Sequence, residues 1–131
     1  MTNEELLAHA KEAMKNAYSP YSGFSVGAAL LCEDGSVYLG CNVENASFSV
    51  TCCAERVALF SAVSDRKRNF LAIAVAGSKK PCYPCGVCRQ ALAEFCDGDM
   101  PVICADKNGK WIVVELSELM PYPFLPEDVQ K

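Results

Sequence analysis

Val26-Gly27-Ala28-Ala29-Leu30-Leu31-Cys32 and Val37-Tyr38-Leu39-Gly40-Cys41 are two short apolar runs held apart by Glu33-Asp34-Gly35-Ser36. Two strand-length runs joined by four turn-forming residues predict a β-hairpin. Upstream of it, Thr2 and Glu5 form a capping box, and Leu6, Leu7, Ala10, Met14 and Ala17 follow at helical spacing. That helix is expected to end at Ser19-Pro20, because the residue before a proline is pushed out of the helical region. Downstream, Cys53 to Val63 has helical character, with Val57, Ala58 and Phe60 to Ala62 supplying apolar surface. Leu71 to Ala76 reads as a continuous apolar strand buried on both faces. Helical character returns from Cys85 to Cys96 and is expected to stop at Asp97-Gly98, a C-cap signal. Val102 to Ala105 and Trp111 to Glu115 read as strands around the turn Asp106-Lys107-Asn108-Gly109. Pro121 to Lys131 has three prolines in six positions and is expected to lie irregularly on the surface. The order α-β-β-α-β-α-β-β with a short helical tail predicts an α/β fold, a mixed five-stranded sheet with helices on both faces, over a single domain of residues 1–131.

Composition narrows the class. A chain of 131 residues buries roughly two thirds of its unfolded surface. With 51% hydrophobic and 21% charged residues it is globular, not disordered. Net charge is −4 and the basic residues are scattered, the longest run being Arg66-Lys67-Arg68, read as a solvated helix end. No basic face of the kind that holds nucleic acid is evident, so a small-molecule substrate is expected. No apolar run approaches the roughly 20 residues that span a membrane. The start, Met1-Thr2-Asn3-Glu4-Glu5, is polar and reads as leaderless. Nine cysteines, an odd number, then favour free thiols in a reducing cytoplasm over a disulfide framework, and clustered ones favour metal.

Two clusters stand out: Cys53-Ala54-Glu55-Arg56, and Pro84-Cys85-Gly86-Val87-Cys88-Arg89-Gln90. A cysteine two residues before a glutamate, with Pro-Cys-x-x-Cys downstream, is the pattern of zinc deaminases of nucleobases. Three thiolates hold Zn²⁺ and leave its fourth position open, while the glutamate is free to move protons. Both clusters fall where a loop enters a helix, and the helix N-terminus favours thiolate formation. Cys85 and Cys88, three apart, lie on one helical face. Three thiolates leave zinc with a formal charge of −1, so Arg56 is a candidate donor to the sulfurs; the alternative is an ordinary surface ion pair. Glu55 is the candidate proton shuttle, the alternative being a glutamate placed by the helix dipole. Cys82 sits three before Cys85, so Cys82, Cys85 and Cys88 also invite an iron–sulfur reading, but the ferredoxin spacing requires a fourth cysteine where Leu92 stands. Cys85 and Cys88 are therefore preferred, with Cys82 a spectator, and of Cys52 and Cys53 only the latter stands two before Glu55. His9 is the lone histidine and is expected on the surface, which removes Ser–His and Cys–His nucleophilic catalysis.

Further motifs run almost end to end: Ser19-Pro20-Tyr21-Ser22-Gly23-Phe24, Val26-Gly27-Ala28-Ala29-Leu30, Gly40-Cys41-Asn42-Val43-Glu44-Asn45-Ala46, Glu55-Arg56-Val57-Ala58-Leu59, Cys88-Arg89-Gln90, and Leu119-Met120-Pro121 with Phe124. With the two metal motifs, they resemble the cytidine deaminase family in its short homotetrameric form with three cysteine ligands. The resemblance implies a three-layer α-β-α sandwich with one Zn²⁺ per chain on Cys53, Cys85 and Cys88. It implies that Asn42 and Glu44 hold the ribose, that Phe24 packs on the pyrimidine, and that the backbone near Ala54 with Glu55 reads the base edge. It also implies that Phe124 reaches a neighbouring subunit's site. Without the family, Asn42 and Glu44 share one face of a strand end, as fits sugar contacts or a solvated edge, and Phe24 and Phe124 could be core aromatics. Phe48 stands where many relatives carry Tyr, Cys52 replaces a non-thiol, and Pro121 to Phe124 is richer in proline than usual.

The expected activity is hydrolytic deamination of cytidine and 2'-deoxycytidine to uridine and 2'-deoxyuridine in pyrimidine salvage, water at the metal attacking C4 while Glu55 moves protons. One competing reading is a zinc deaminase of another aminopyrimidine nucleoside. Another is a non-catalytic structural-zinc module, with Cys52 or Cys82 as a fourth ligand, which leaves Glu55 without a purpose.

Overall fold

A computed structural model describes residues 1–129. The hairpin forms as read: β1 (Val26–Cys32) pairs antiparallel with β2 (Val37–Cys41), Gly27 opposite Cys41, and Gly35 turns the chain at φ +90°. β3 (Phe70–Gly77) pairs antiparallel with the other edge of β1; β4 (Pro101–Ala105) lies parallel to β3; β5 (Trp111–Glu115) closes the edge antiparallel. The order is β2-β1-β3-β4-β5, a mixed five-stranded sheet. Its one parallel pair requires a crossover, which α3 (Gly86–Phe95) supplies.

Helices cover both faces. On one, α1 (Asn3–Met14) buries Leu6, Leu7 and Ala10 against Ala29, Ala72, Ala74, Ala76, Ile103 and Ala105. The alanine-rich strand face lets the helix lie close, and the limit is reached at Gly27, where an added Cβ would stand 1.9 Å from the Ala10 carbonyl oxygen. On the other face, α2 (Ala54–Ser64) and α3 bury Ala58, Leu59, Ala62 and Leu92 over Ala28, Leu30, Ile73, Val75 and Val102. Gly40 permits the same closeness there, its absent Cβ falling 2.2 Å from the Ala54 carbonyl oxygen. A short α4 (Leu116–Leu119) precedes an irregular tail with one 3₁₀ turn at Pro126–Asp128.

Five expectations are corrected. Thr2 caps α1 by accepting from the Glu5 amide, but the helix ends at Met14, before Ser19-Pro20, and Ala17 lies outside it. Its exit is pulled instead into a bridge between Tyr18 and Val43. Gly98 is not a left-handed cap: α3 ends at Phe95 and Cys96 is extended, with φ −118°. β3 is buried except at Leu71, which is half exposed. Of the apolar residues in α2, Leu59 faces the core, while Phe60 is exposed. Arg66-Lys67-Arg68 does close a helix end, Arg68 donating to the Val63 carbonyl, but Lys67 is paired with Asp34 at 2.7 Å. His9 is exposed.

Candidate active site

The carboxyl end of β3 runs through residues 78–85 into α3, and the cleft opens there, outside the end of a parallel strand. Cys53 and Cys85 are the N-cap residues of α2 and α3, and Cys88 lies in the first turn of α3. Neither cap side chain accepts from a backbone amide of its own helix, which leaves both sulfurs free to point at a common centre. The three sulfurs lie within 4.8 Å of one another, and Cys53 Sγ is 3.8 Å from Cys85 Sγ. Tetrahedral zinc with Zn–S bonds near 2.3 Å sets sulfur–sulfur separations of about 3.8 Å, so the cluster fits the ion. Among the described residues, no other group of three such side chains converges in this way.

The electrostatics fit as well. The Cys53 thiol is held well below its ordinary range by the Cys88 thiol that bonds it and by the Arg56 guanidinium. Arg56 Nη2 stands 3.7 Å from Cys53 Sγ and donates to the Thr51 carbonyl at 3.2 Å, while its Nε is buried without a partner. It is therefore no surface ion pair. Burial drives the Cys82 thiol up to about 12, so at neutral pH it is a protonated thiol beside the cluster. Cys52 is likewise raised by burial, in a bridge between its backbone and that of Val43.

Glu55 is 3% exposed in the first turn of α2. Burial first, and the nearby Cys53 charge after it, push its carboxyl up to about 7. A carboxyl poised there can both take and give a proton near neutrality. It lines a cleft of about 310 Å³ together with Phe24, Asn42, Glu44, Cys53, Ala54 and Cys85. Cys88 is fully buried behind this surface.

These geometries sit in a chain whose residues 1–104 match the model of the cytidine and deoxycytidylate deaminase zinc-binding region. The chain belongs to that deaminase family. A curated cytidine deaminase of Sporosarcina psychrophila is 51% identical over 98% of this chain and 96% of its own. One of Halalkalibacterium halodurans is 48% identical over 98% of both. The crystal structure of cytidine deaminase from Burkholderia pseudomallei superposes with a TM-score of 0.91 at 46% identity, covering 95% of this chain and all of that one.

Within this deaminase framework, the polar wall residues are less free than their sequence suggests. Asn42, 8% exposed, accepts from the Val26 amide at 2.9 Å and donates to the Phe24 carbonyl at 2.8 Å. Glu44 accepts from the amides of Tyr21 at 2.9 Å and Ser22 at 3.1 Å, and from the Ser22 hydroxyl. Asn42 keeps one acceptor and one donor position, and Glu44 one acceptor position on Oε2. Phe24 is half-buried, with Lys79 Nζ 5.9 Å from its ring centre, and is a wall residue, not a core aromatic. Phe124 stands apart: it is 60% exposed and does not line this cleft. Gln90 clamps its backbone, donating to the Phe124 carbonyl at 2.6 Å and accepting from its amide at 3.2 Å. Next to it, Arg89 joins the Pro84 carbonyl at 2.7 Å to the Leu119 carbonyl at 2.9 Å. Cys82, read as a spectator, also lines the cleft, as do Thr51 and Tyr83, which were given no role from sequence; a threonine or tyrosine in a loop carries no spacing that marks it. None of the described helices is long and apolar enough to cross a membrane.

Proposed function

We propose that this chain, as one catalytic domain, is a zinc-dependent cytidine deaminase that converts cytidine and 2'-deoxycytidine to uridine and 2'-deoxyuridine with release of ammonia. The observation that carries the reading is a buried carboxyl, Glu55, beside three convergent thiols at the floor of a nucleoside-sized cleft. Zinc held by Cys53, Cys85 and Cys88, one ion per chain, supplies the Lewis acidity that activates water. Glu55 would accept one proton from the attacking water and deliver it to the ring nitrogen, then take the water's second proton from the hydroxyl left at C4 and pass it to the departing amine. Arg56 and the two helix N-termini draw negative charge from the thiolates, which offsets the weak acidity of a three-sulfur centre. Phe24 packs on the pyrimidine, the backbone at Ala54 reads the base edge, and Asn42 and Glu44 bind the ribose.

A homotetramer with shared sites completes the reading. Phe48, Val50, Tyr122 and Phe124 are 76%, 61%, 94% and 60% exposed, more apolar surface than a lone subunit of this size gains by showing. Phe124 then closes the cleft of a neighbour. Pyrimidine salvage is the setting that this reaction implies, and nine thiols with no disulfide among the described residues support a cytoplasmic one.

The test is incubation of the zinc-loaded protein with cytidine, following uridine and ammonia, then repeating after zinc removal and restoration. Turnover is expected only with the metal. Absence of uridine from zinc-loaded protein would refute the reading. Glu55→Gln should retain zinc and lose turnover by about 10²–10⁴-fold. A variant keeping a tenth of the wild-type rate would remove Glu55 from its role.

A further inference from the structure

Ser22 belongs to none of the roles assigned above, yet its hydroxyl sits at a junction. It donates to Glu44 Oε2 and accepts from the Phe24 amide at 3.0 Å, while the Ser22 amide donates to Glu44 Oε1 at 3.1 Å. Gly23, at φ +66°, makes the left-handed turn that lets residue 22 fold back on residue 24. The loop is also tied at Tyr21, whose amide donates to Glu44, at Gly23, whose amide donates to the Ser19 carbonyl, at Phe24, whose carbonyl accepts from Asn42, and at Ser25, whose hydroxyl bonds that of Ser19. Ser22 is exposed and lines the cleft between Phe24 and Glu44, so the hydroxyl adds little to the core.

We propose that Ser22 is a positioning residue for nucleoside binding, its hydroxyl fixing the Glu44 carboxylate and the Phe24 backbone relative to each other so that sugar and base contacts form in one register. This rests on the cytidine deaminase reading for what Glu44 and Phe24 touch. A single hydroxyl both donates and accepts, and no other side chain bridges these two residues among the described bonds. The Ser22 hydroxyl is also the largest of the influences that hold the Glu44 carboxyl below its ordinary value. Glu44 has no ion-pair partner among the described residues, so the bonds from Tyr21 and Ser22 account for its state.

The experiment compares zinc-loaded wild type, Ser22→Ala and Ser22→Thr by two readouts. Steady-state kinetics on cytidine separate KM from kcat, and carboxyl ¹³C NMR, assigned with Glu44→Gln, follows the titration of Glu44. Ser22→Ala is expected to raise KM on the order of 10-fold with kcat nearly unchanged, as loss of a charge-assisted hydrogen bond implies. The Glu44 midpoint should move up toward the ordinary glutamate range, and Ser22→Thr, which keeps the hydroxyl, should restore both. A hydroxyl that only packed the loop without bonding Glu44 would not move the midpoint. An unchanged Glu44 midpoint in Ser22→Ala overturns the proposal whatever happens to KM, and so does a loss confined to kcat. If wild type turns over no cytidine, the functional reading falls, while the Glu44 titration still decides whether Ser22 sets that carboxylate.

Discussion

Gly40→Ala tests whether the height of α2 above the sheet sets the catalytic geometry. A Cβ at position 40 would stand 2.2 Å from the Ala54 carbonyl oxygen and 2.5 Å from the Ala58 amide nitrogen, both backbone atoms of α2. Ordinary contact begins near 3.4 Å, so the first turn of the helix must lift by roughly 1 Å in a close-packed interior. Gly40 does not have a positive φ, so no backbone strain confuses the result. Overpacking of this kind costs about 1–3 kcal/mol, which for a chain of this length lowers the melting temperature by roughly 3–10 °C. The same lift carries Cys53 and Glu55 away from Cys85 and Cys88, and a misplacement of about 1 Å at reacting groups costs roughly 10²-fold in rate. Thermal unfolding, bound zinc and kcat on cytidine should therefore all fall together. Gly86→Ala, with nothing within 4 Å of the added methyl, serves as the stability control and should be neutral or slightly stabilising. A Gly40→Ala protein with wild-type melting and full turnover would refute the reasoning.

Cys53→Ala, Cys85→Ala and Cys88→Ala should each lose zinc by elemental analysis, whereas Cys52→Ala and Cys82→Ala should keep metal and activity; a zinc-free Cys82→Ala protein beside a zinc-loaded Cys88→Ala protein would overturn the ligand register. Asn42→Ala should cost stability of about 1–3 kcal/mol in denaturant titrations, because the Phe24 carbonyl and Val26 amide lose their partner. It should also lower kcat/KM for cytidine roughly 5–150-fold, while cytosine, which has no sugar, should be a poor substrate for wild type and nearly indifferent to the change. Equal losses on both substrates would refute the sugar contact.

The strands and the convergence of the thiols were legible in the sequence because their signals are local. Val26 to Cys41 carries apolar runs, turn residues and strand lengths within sixteen positions, and Cys85 and Cys88 are fixed on one turn by covalent spacing alone. Helix ends were less legible. The chain leaves α1 at Met14 because the Tyr18–Val43 bridge takes over, a pairing across twenty-five positions that no local signal announces. Asp97-Gly98 looked like a cap, but Gly98 sits against Ser117, so its smallness serves packing and not a left-handed turn. The walls of the cleft follow the same rule. Thr51, Ser22 and Tyr83 come from three separate loops, and tertiary pairing alone brings them to one surface.

The clamps on α3 make the protein's edge part of its centre. Arg89 and Gln90 stand in the turn after Cys88, one reaching back to the loop before Cys85 and both reaching forward to the tail. Residues 119–124 therefore cannot fray as a free end: releasing them breaks the Arg89 and Gln90 bonds at once and loosens the strut on Pro84. Loop, helix and tail form one cooperative unit of unfolding, whose opening energy is common to all three. The thiol cluster and Phe124 thus draw on a single local stability, and a substitution among the surface prolines of the tail is felt at the metal end of the helix.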